Sequence, residues 1–154
     1  MSTDGHHFSC THMSSLPVHT VLLIDRSSTM KKDDVIPRGG WWRRSHPNRL
    51  GCALAAVQKF VEQRLHSSPQ DRISFLAFDH TLLVGPLNVS IDTFVDHLPW
   101  LQALRIGHGT SFEVAIRGIL PVLAVTPPGY RCMVIMLSDG IEAYPGHALG
   151  DLFR

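Results

Sequence analysis

The sequence predicts an α/β fold with a mostly parallel central sheet, helices on both faces and one antiparallel edge strand. Three short segments are apolar at nearly every position, as in strands that are buried on both faces of a parallel sheet. They are residues 21–24, 72–78 and 132–137. The segments between them carry apolar residues at the spacing of amphipathic helices. This alternation is typical of parallel βαβ units, and we therefore predict a Rossmann-like architecture.

Length and composition indicate one globular domain. A chain of 154 residues can bury a sizeable core but is too short for two ordinary domains, and its 44% hydrophobic residues argue against wholesale disorder. We expect a flexible tail over residues 1–15 and the domain over residues 16–154. The tail holds a histidine and cysteine tract that could bind zinc, but its irregular spacing favours a plain tail. The tract comprises His6, His7, Cys10 and His12.

Charge and targeting signals limit the classes of partner. The formal net charge is +1, and such a balance argues against nucleic acid as a partner. No charged segment followed by an apolar run precedes Val18, and no apolar stretch approaches the roughly 20 residues of a membrane span. The cysteines Cys10, Cys52 and Cys132 lack metal-type spacing, and the last two fall in elements expected to be buried. We therefore expect an intracellular protein, cytoplasmic or nuclear, with no membrane partner.

The first half of the chain is predicted to form a strand, a long loop and a helix. The strand at 21–24 ends where Asp25 begins, and residues 31–47 are rich in charge, glycine and proline. Trp41 and Trp42 lie among arginines in that segment, which predicts an exposed loop or, alternatively, a loop that contacts a partner. Residues 48–66 predict a helix. Its buried face would comprise Leu50, Ala53, Leu54, Val57, Val61 and Leu65.

The middle of the chain predicts a hairpin and a second helix. Arg72–Phe78 would be a buried strand, and a turn at Asp79 would lead into a short strand over 81–84, which gives the antiparallel edge. Asp79 and Glu142 are interpreted as surface loop residues. Ser90 is expected to cap a helix that ends or kinks at Pro99. The apolar face of that helix would carry Ile91, Phe94, Val95 and Leu98.

The last predicted helix follows a flexible link at residues 107–109. Thr110 and Glu113 match a capping box, so capping this helix could be the whole role of Thr110. The helical face would comprise Phe112, Ala115, Ile116, Ile119 and Leu123. A buried strand over 132–137 then ends at Ser138, Asp139 and Gly140.

Oxygen-bearing side chains follow the predicted strands. Asp25, Ser27 and Thr29 come after the first strand, Asp139 comes after the last, and Thr110 opens a helix. Open α/β sheets bind ligands at the carboxyl ends of their strands. Carboxylates and hydroxyls are hard donors that suit Mg²⁺. The two carboxylates at two strand ends therefore predict a metal site, although the hydroxyls could also be ordinary turn residues.

These residues resemble the von Willebrand factor A-type domain and its metal-ion-dependent adhesion site, which reads D-x-S-x-S, then Thr, then Asp. The resemblance covers residues 18–140 and includes the strand Asp71–Phe78, which is similar to the family's second strand. It implies that Ser27 and Thr29 coordinate Mg²⁺ or Mn²⁺ directly and that Thr110 does so directly or through water. Asp25 and Asp139 would bind the ion directly or through ordered waters. The implied function is binding of a partner protein that offers an Asp or Glu carboxylate to the ion.

Three departures from the family pattern stand out. Thr29 replaces the usual Ser, and Arg26 replaces a frequent Gly and would add a positive charge beside the site. The family also usually carries two further strands beyond the Ser138–Gly140 segment. The resemblance therefore implies a domain truncated at its C-terminus, or one whose sheet is completed by another polypeptide, because strand 132–137 would otherwise be an unpaired edge.

Two other function classes compete with metal-dependent binding. A strand-end acid is also typical of haloacid dehalogenase-type phosphatases, which use Mg²⁺ and resemble D-x-D-x-T. Ser27 occupies the position of their general acid and cannot protonate a leaving alkoxide in that role. We therefore predict no catalytic residue and no enzymatic activity. The remaining alternative is a degenerate scaffold that binds partners without metal, for example through the Trp41–Trp42 loop.

Overall fold

The computed structural model describes residues 16–140, so the histidine and cysteine tract and Glu142 lie outside the described residues. The strands are β1 (Val18–Asp25), β2 (Arg72–Phe78), β3 (Leu82–Val84), β4 (Val89–Ser90) and β5 (Arg131–Leu137). The helices are α1 (Gly40–Ser45), α2 (Arg49–Ser67), α3 (Phe94–Ala103) and α4 (Phe112–Ala124), with short 3-10 turns at Ser28–Lys31 and Ile91–Thr93. Within this range, none of the helices is long and apolar enough to cross a membrane.

The sheet has the order β3-β2-β1-β5, and β1 pairs in parallel with both β2 and β5. β3 and β4 run antiparallel to β2, which confirms the predicted hairpin and the mostly parallel α/β class. Asp25 is in register with Phe78, and Ile24 is in register with Leu137. The carboxyl ends of β1, β2 and β5 therefore meet at one edge of the sheet.

The core lies on both faces of β1, whose eight residues are all buried. On one face Leu22 and Ile24 belong to the cluster that contains Leu54 and Val57 of α2. The other face packs against α4, with a cluster of Val21, Leu23, Leu76, Phe78, Ala115, Ile119 and Val122. Because apolar side chains are needed on both faces, β1 is apolar at consecutive positions.

The predicted long loop contains a helix, so the interpretation of residues 31–47 as an exposed loop is wrong in part. Trp42 lies in α1, is 5% exposed, and its Nε1 donates to Gln58 Oε1 of α2 at 2.7 Å. Trp41 remains 40% exposed and packs edge-on against Trp42, with 4.9 Å between ring centroids. The loop is ordered because α2 offers the indole of Trp42 both apolar contact and an acceptor.

α3 departs from its prediction at three positions. Ser90 precedes a 3-10 turn and makes no side-chain capping bond, and Val95 is exposed rather than part of the buried face. The helix continues through Pro99 to Ala103, which excludes an end at Pro99, one of the two predicted effects of this residue. It tolerates Pro99 because the carbonyl that loses its helical partner belongs to Val95, at an exposed position where water can reach it.

β5 is the terminal strand of the sheet over residues 16–140, where it pairs only with β1. Its residues alternate between exposed and half-buried, and Cys132 is exposed, so the prediction of a buried strand is wrong for this strand. A terminal strand offers backbone groups for pairing with a further strand. Truncation of the domain and completion of the sheet by another polypeptide remain predictions.

A buried histidine interrupts the apolar run of β1. His19 is fully buried, with Nε2 2.8 Å from Ser74 Oγ and Nδ1 2.8 Å from Thr126 Oγ1. The Asn88 backbone N–H donates to Ser74 Oγ at 2.7 Å, which leaves the Ser74 hydroxyl proton for His19 Nε2. Neutral imidazole with its proton on Nδ1 satisfies all these groups. Burial, and then the charge of Arg72, lower the pKa of His19.

Lowering the pH from 7.5 to 5.5 is therefore expected to reduce the free energy of unfolding through His19. The unfolded state takes up a proton as the pH falls through about 6.5, whereas the folded state, with its lowered pKa, does not. The loss is at most about 1.4 kcal/mol per pH unit from this residue. Urea unfolding across this range measures it, and His19→Gln should flatten the slope. Equal slopes in the two proteins would contradict the expectation.

Candidate metal site

Asp25 is the last residue of β1 and is fully buried. Its Oδ1 accepts a hydrogen bond from the Ser27 backbone N–H at 2.7 Å, and its Oδ2 accepts one from Ser138 Oγ at 2.6 Å. Both donors are neutral, and no salt bridge to Asp25 occurs within residues 16–140. A buried carboxylate without a cationic partner is costly, so this position favours a cation.

Two hydroxyls follow Asp25 and lie together. Ser27 is fully buried, and its Oγ is 3.1 Å from Thr29 Oγ1. A 3-10 turn over Ser28–Lys31 brings them together, since the Met30 N–H donates to the Ser27 carbonyl at 3.0 Å. Ser27 stands at the N-cap of this turn but makes no side-chain capping bond. The two hydroxyls therefore keep oxygen lone pairs that a hard cation can use.

The loop that carries Thr110 is attached to the same end of the sheet. The Gly107 N–H donates to the Arg26 carbonyl at 2.7 Å, and the Ser111 N–H donates to the Asp79 carbonyl at 2.8 Å. Thr110 lies between these two attachments and is half-buried. Ser111 caps α4, because its Oγ accepts from the Val114 N–H at 3.3 Å. The prediction that Thr110 is the cap is therefore wrong by one residue.

Asp139 follows β5, which lies beside β1, and its side chain is 9% exposed. Its Oδ2 accepts a hydrogen bond from Arg49 Nη1 at 2.9 Å. Arg49 opens α2 and also forms an ion pair with Asp34, in the segment between β1 and α1. Asp139 therefore meets a guanidinium, a contact that the sequence did not indicate.

Asp79 is a further buried acid at this end of the sheet, and its interpretation as a surface loop residue is wrong. It is 2% exposed; Oδ1 accepts from Thr81 N–H and Oγ1, both at 2.8 Å. Oδ2 accepts from Arg26 Nη2 and the His108 N–H, both at 3.1 Å. Burial would raise the pKa of Asp79, but the bonds from Thr81 and His108 and the charge of Arg26 outweigh burial and lower it to about 2. Asp79 therefore holds the Thr110 loop against the sheet.

Arg26 is directed at Asp79, so its charge is balanced by a carboxylate. Its Nη2 forms the ion pair with Asp79, and its Nη1 donates to the Arg105 carbonyl at 3.3 Å. The expectation of an added positive charge beside the site therefore needs correction, because a buried acid largely offsets that charge.

The donor set consists of carboxylate and hydroxyl oxygens. Over residues 16–140, no group of three or more His, Cys, Asp or Glu side chains is arranged to hold a metal ion. A zinc site of nitrogen and sulfur ligands therefore does not fit the described part of the chain. A hard cation that keeps several waters needs fewer protein ligands, and the residues around Asp25 fit such an ion.

A family comparison matches most of the chain. Residues 20–142 match the model of the von Willebrand factor type A domain. This range contains Asp25, Ser27, Thr29, Thr110 and Asp139. No curated protein sequence gives a significant match.

Solved structures give a similar result. The vWF domain of the type V pili tip protein Mfa5 from Porphyromonas gingivalis is 26% identical, with a TM-score of 0.62 over 81% of this chain and 38% of that one. An aerotolerance-related membrane protein from Bacteroides fragilis is 21% identical, with a TM-score of 0.65 over 87% and 61%. The PilB minor pilin from Streptococcus sanguinis is 13% identical, with a TM-score of 0.64 over 82% and 30%. The chain thus spans less than two thirds of each of these proteins.

Proposed function

The chain belongs to the von Willebrand factor type A domain family, whose members typically mediate protein–protein interactions, and we propose that it binds a partner protein through a divalent cation, Mg²⁺ or Mn²⁺. In this proposal Asp25, Ser27, Thr29, Thr110 and Asp139 hold the ion. The partner supplies a carboxylate from an Asp or Glu side chain.

The observation that carries the proposal is the environment of Asp25. Its carboxylate is fully buried, and its two hydrogen bonds come from the neutral Ser27 N–H and Ser138 hydroxyl. The Ser27 and Thr29 hydroxyls lie 3.1 Å apart immediately after it. A divalent cation would balance the buried charge and use these oxygens at the same time.

The neutral hydroxyls explain why such an ion would attract a partner. Ser27 and Thr29 would be direct ligands, Thr110 a direct or water-mediated ligand, and Asp25 and Asp139 would bind directly or hold waters. Hydroxyl ligands leave more of the ion's positive charge unbalanced than carboxylates do. Mg²⁺ keeps several waters, and one of them can give way to an outside carboxylate. This is binding without turnover, in line with the lack of a general acid at Ser27.

A second candidate is partner binding without metal. The observation that favours it is the ion pair between Arg49 and Asp139, which already gives one of the proposed ligands a cationic partner. In that case the domain would present other surfaces, such as the one around exposed Trp41.

Thr29→Val tests the metal site with little change of shape. The substitution removes the Thr29 hydroxyl and keeps a branched side chain, so we expect cation affinity to fall about tenfold or more. The matched control is Ser28→Ala, which removes an exposed neighbouring hydroxyl that is outside the donor set. Calorimetric titration with Mn²⁺ measures both variants.

The two variants separate the candidate functions. A loss in Thr29→Val with wild-type affinity in Ser28→Ala supports the metal site. If both variants and the wild type bind the ion equally, the ion binds elsewhere. If the wild type takes up no Mg²⁺ or Mn²⁺ at millimolar concentration, binding without metal becomes the better account.

A further inference from the structure

Arg49 links the candidate metal site to the segment before α1. Its Nη1 donates to Asp139 Oδ2 at 2.9 Å, and its Nε donates to Asp34 Oδ1 at 2.8 Å, with a further ion pair between Nη2 and Asp34 Oδ2. Its backbone N–H donates to the Lys32 carbonyl at 3.0 Å. The guanidinium is therefore shared between a nearly buried acid at the site and a half-exposed acid beside it.

The position of Arg49 in α2 is unfavourable without these acids. It is the first residue of the helix, Asn48 caps it by accepting from the Gly51 N–H at 3.0 Å, and no acidic residue lies in the first turn. A positive charge at a helix N-terminus opposes the helix dipole. The side chain is therefore stabilised there mainly by Asp34 and Asp139, and its hydrogen bond lowers the pKa of Asp34, which keeps that carboxylate charged.

We propose that Arg49 is an internal cation that competes with the divalent ion for Asp139 and so sets the affinity of the site, while Asp34 draws the guanidinium away from Asp139. This inference rests on the proposed metal site. The competition has a simple basis: the guanidinium of Arg49 occupies a lone pair of Asp139 Oδ2 by hydrogen bonding, and its positive charge repels a nearby cation.

The proposal predicts opposite effects for the two partners. Removing the charge of Arg49 removes one competitor for Asp139 and should tighten binding. Removing the charge of Asp34 leaves the whole guanidinium charge to Asp139 and should weaken binding. A purely structural role for Arg49 in holding Asp139 in place predicts weaker binding when Arg49 is replaced.

Calorimetric titration of the full chain with Mn²⁺, repeated with Mg²⁺, tests this. We expect Arg49→Gln to bind the ion on the order of tenfold more tightly than the wild type, and Asp34→Asn to bind it several-fold more weakly. The matched controls remove the same charges at positions close by in the sequence that take no part in the ion pairs of Arg49. They are Arg44→Gln and Asp33→Asn, both at exposed positions, and each should stay within about twofold of the wild type.

The outcomes test the competition by Arg49 separately from the proposed metal site. Tighter binding in Arg49→Gln than in Arg44→Gln, with weaker binding in Asp34→Asn than in Asp33→Asn, supports the competition. Equal or weaker binding in Arg49→Gln overturns it and leaves the metal site standing, since the wild type still binds. If neither the wild type nor Arg49→Gln binds either ion, the proposed function itself is overturned, and this inference with it.

Discussion

Replacing Asp25 by Asn is expected to abolish the stabilisation that Mg²⁺ or Mn²⁺ gives to the folded domain. The amide keeps the shape of the side chain and an oxygen to accept from the Ser27 N–H, which in the wild type donates to Asp25 Oδ1 at 2.7 Å. It removes the buried negative charge that the proposed ion would balance. The variant should therefore fold but lose its response to the cation.

The expected effect follows from mass action. An ion that binds only the folded state at 100 times its Kd raises the free energy of unfolding by about 2.7 kcal/mol, and the variant should lack this gain. Thermal unfolding with saturating Mn²⁺ and with a chelator measures it. The control is Asp92→Asn, an exposed acid next to β4 at the opposite end of β2, which should keep the wild-type response. A full cation response in Asp25→Asn would exclude this residue from the site.

Replacing Gly107 by Ala is expected to destabilise the domain by about 3 kcal/mol. A Cβ at this position would lie 2.0 Å from Asp79 Oδ2 and 2.7 Å from its Cγ. Asp79 cannot move aside cheaply, because Thr81, His108 and Arg26 all donate to its carboxylate. The added methyl therefore breaks buried hydrogen bonds that hold the Thr110 loop on the sheet.

Urea unfolding of Gly107→Ala and of a matched glycine variant tests this prediction. The control is Gly39→Ala, because nothing lies within 4 Å of a Cβ there, and we expect it to change stability by less than about 0.5 kcal/mol. Equal stability of the two variants would show that the Asp79 contact with the loop is dispensable.

Buried segments could be predicted well from the sequence because their pattern depends on local burial. Arg72–Phe78 has the predicted bounds, and α2 begins and ends within one residue of the predicted helix. Both have apolar residues where neighbouring layers cover them. β5 was predicted less well: its pairing with β1 fits an apolar strand, but its exposure depends on what lies beyond it in the sheet.

Features that depend on distant partners escaped prediction. α1 forms because the Trp42 indole donates a hydrogen bond to Gln58 and packs against the apolar surface of α2. Gln58 lies sixteen residues further along the chain. The cap of α4 is Ser111 rather than Thr110 because the Asp79 carbonyl fixes the Ser111 N–H. Neither contact is visible in the local pattern, and the choice of cap is open from sequence because both Ser and Thr are favoured at N-caps.

In the candidate site, too, residues that are close in the sequence could be predicted, and contacts between distant segments could not. Asp25, Ser27 and Thr29 could be predicted as one group because they follow the apolar run of a strand directly. In the structure the Ser27 N–H and the Ser138 hydroxyl donate to Asp25, and the Ser27 hydroxyl lies beside that of Thr29. Asp79 comes directly after the apolar run of β2, as Asp25 comes directly after the apolar run of β1, and that repeated pattern could have identified Asp79 as buried. Arg49 carried no such signal, because its partners Asp34 and Asp139 come from segments far apart in the chain.

The most direct test of the proposed metal site is selective broadening of amide NMR signals by substoichiometric Mn²⁺. The ion is paramagnetic, so broadening marks the residues near it. We expect broadening of residues 25–29, 107–110 and 138–140, with sharp signals at residues 68–72, roughly 20 Å away at the other end of β2. Sharp signals throughout the first group at saturating Mn²⁺, or broadening centred on His6, His7 and His12, would contradict a metal site at Asp25, Ser27 and Thr29.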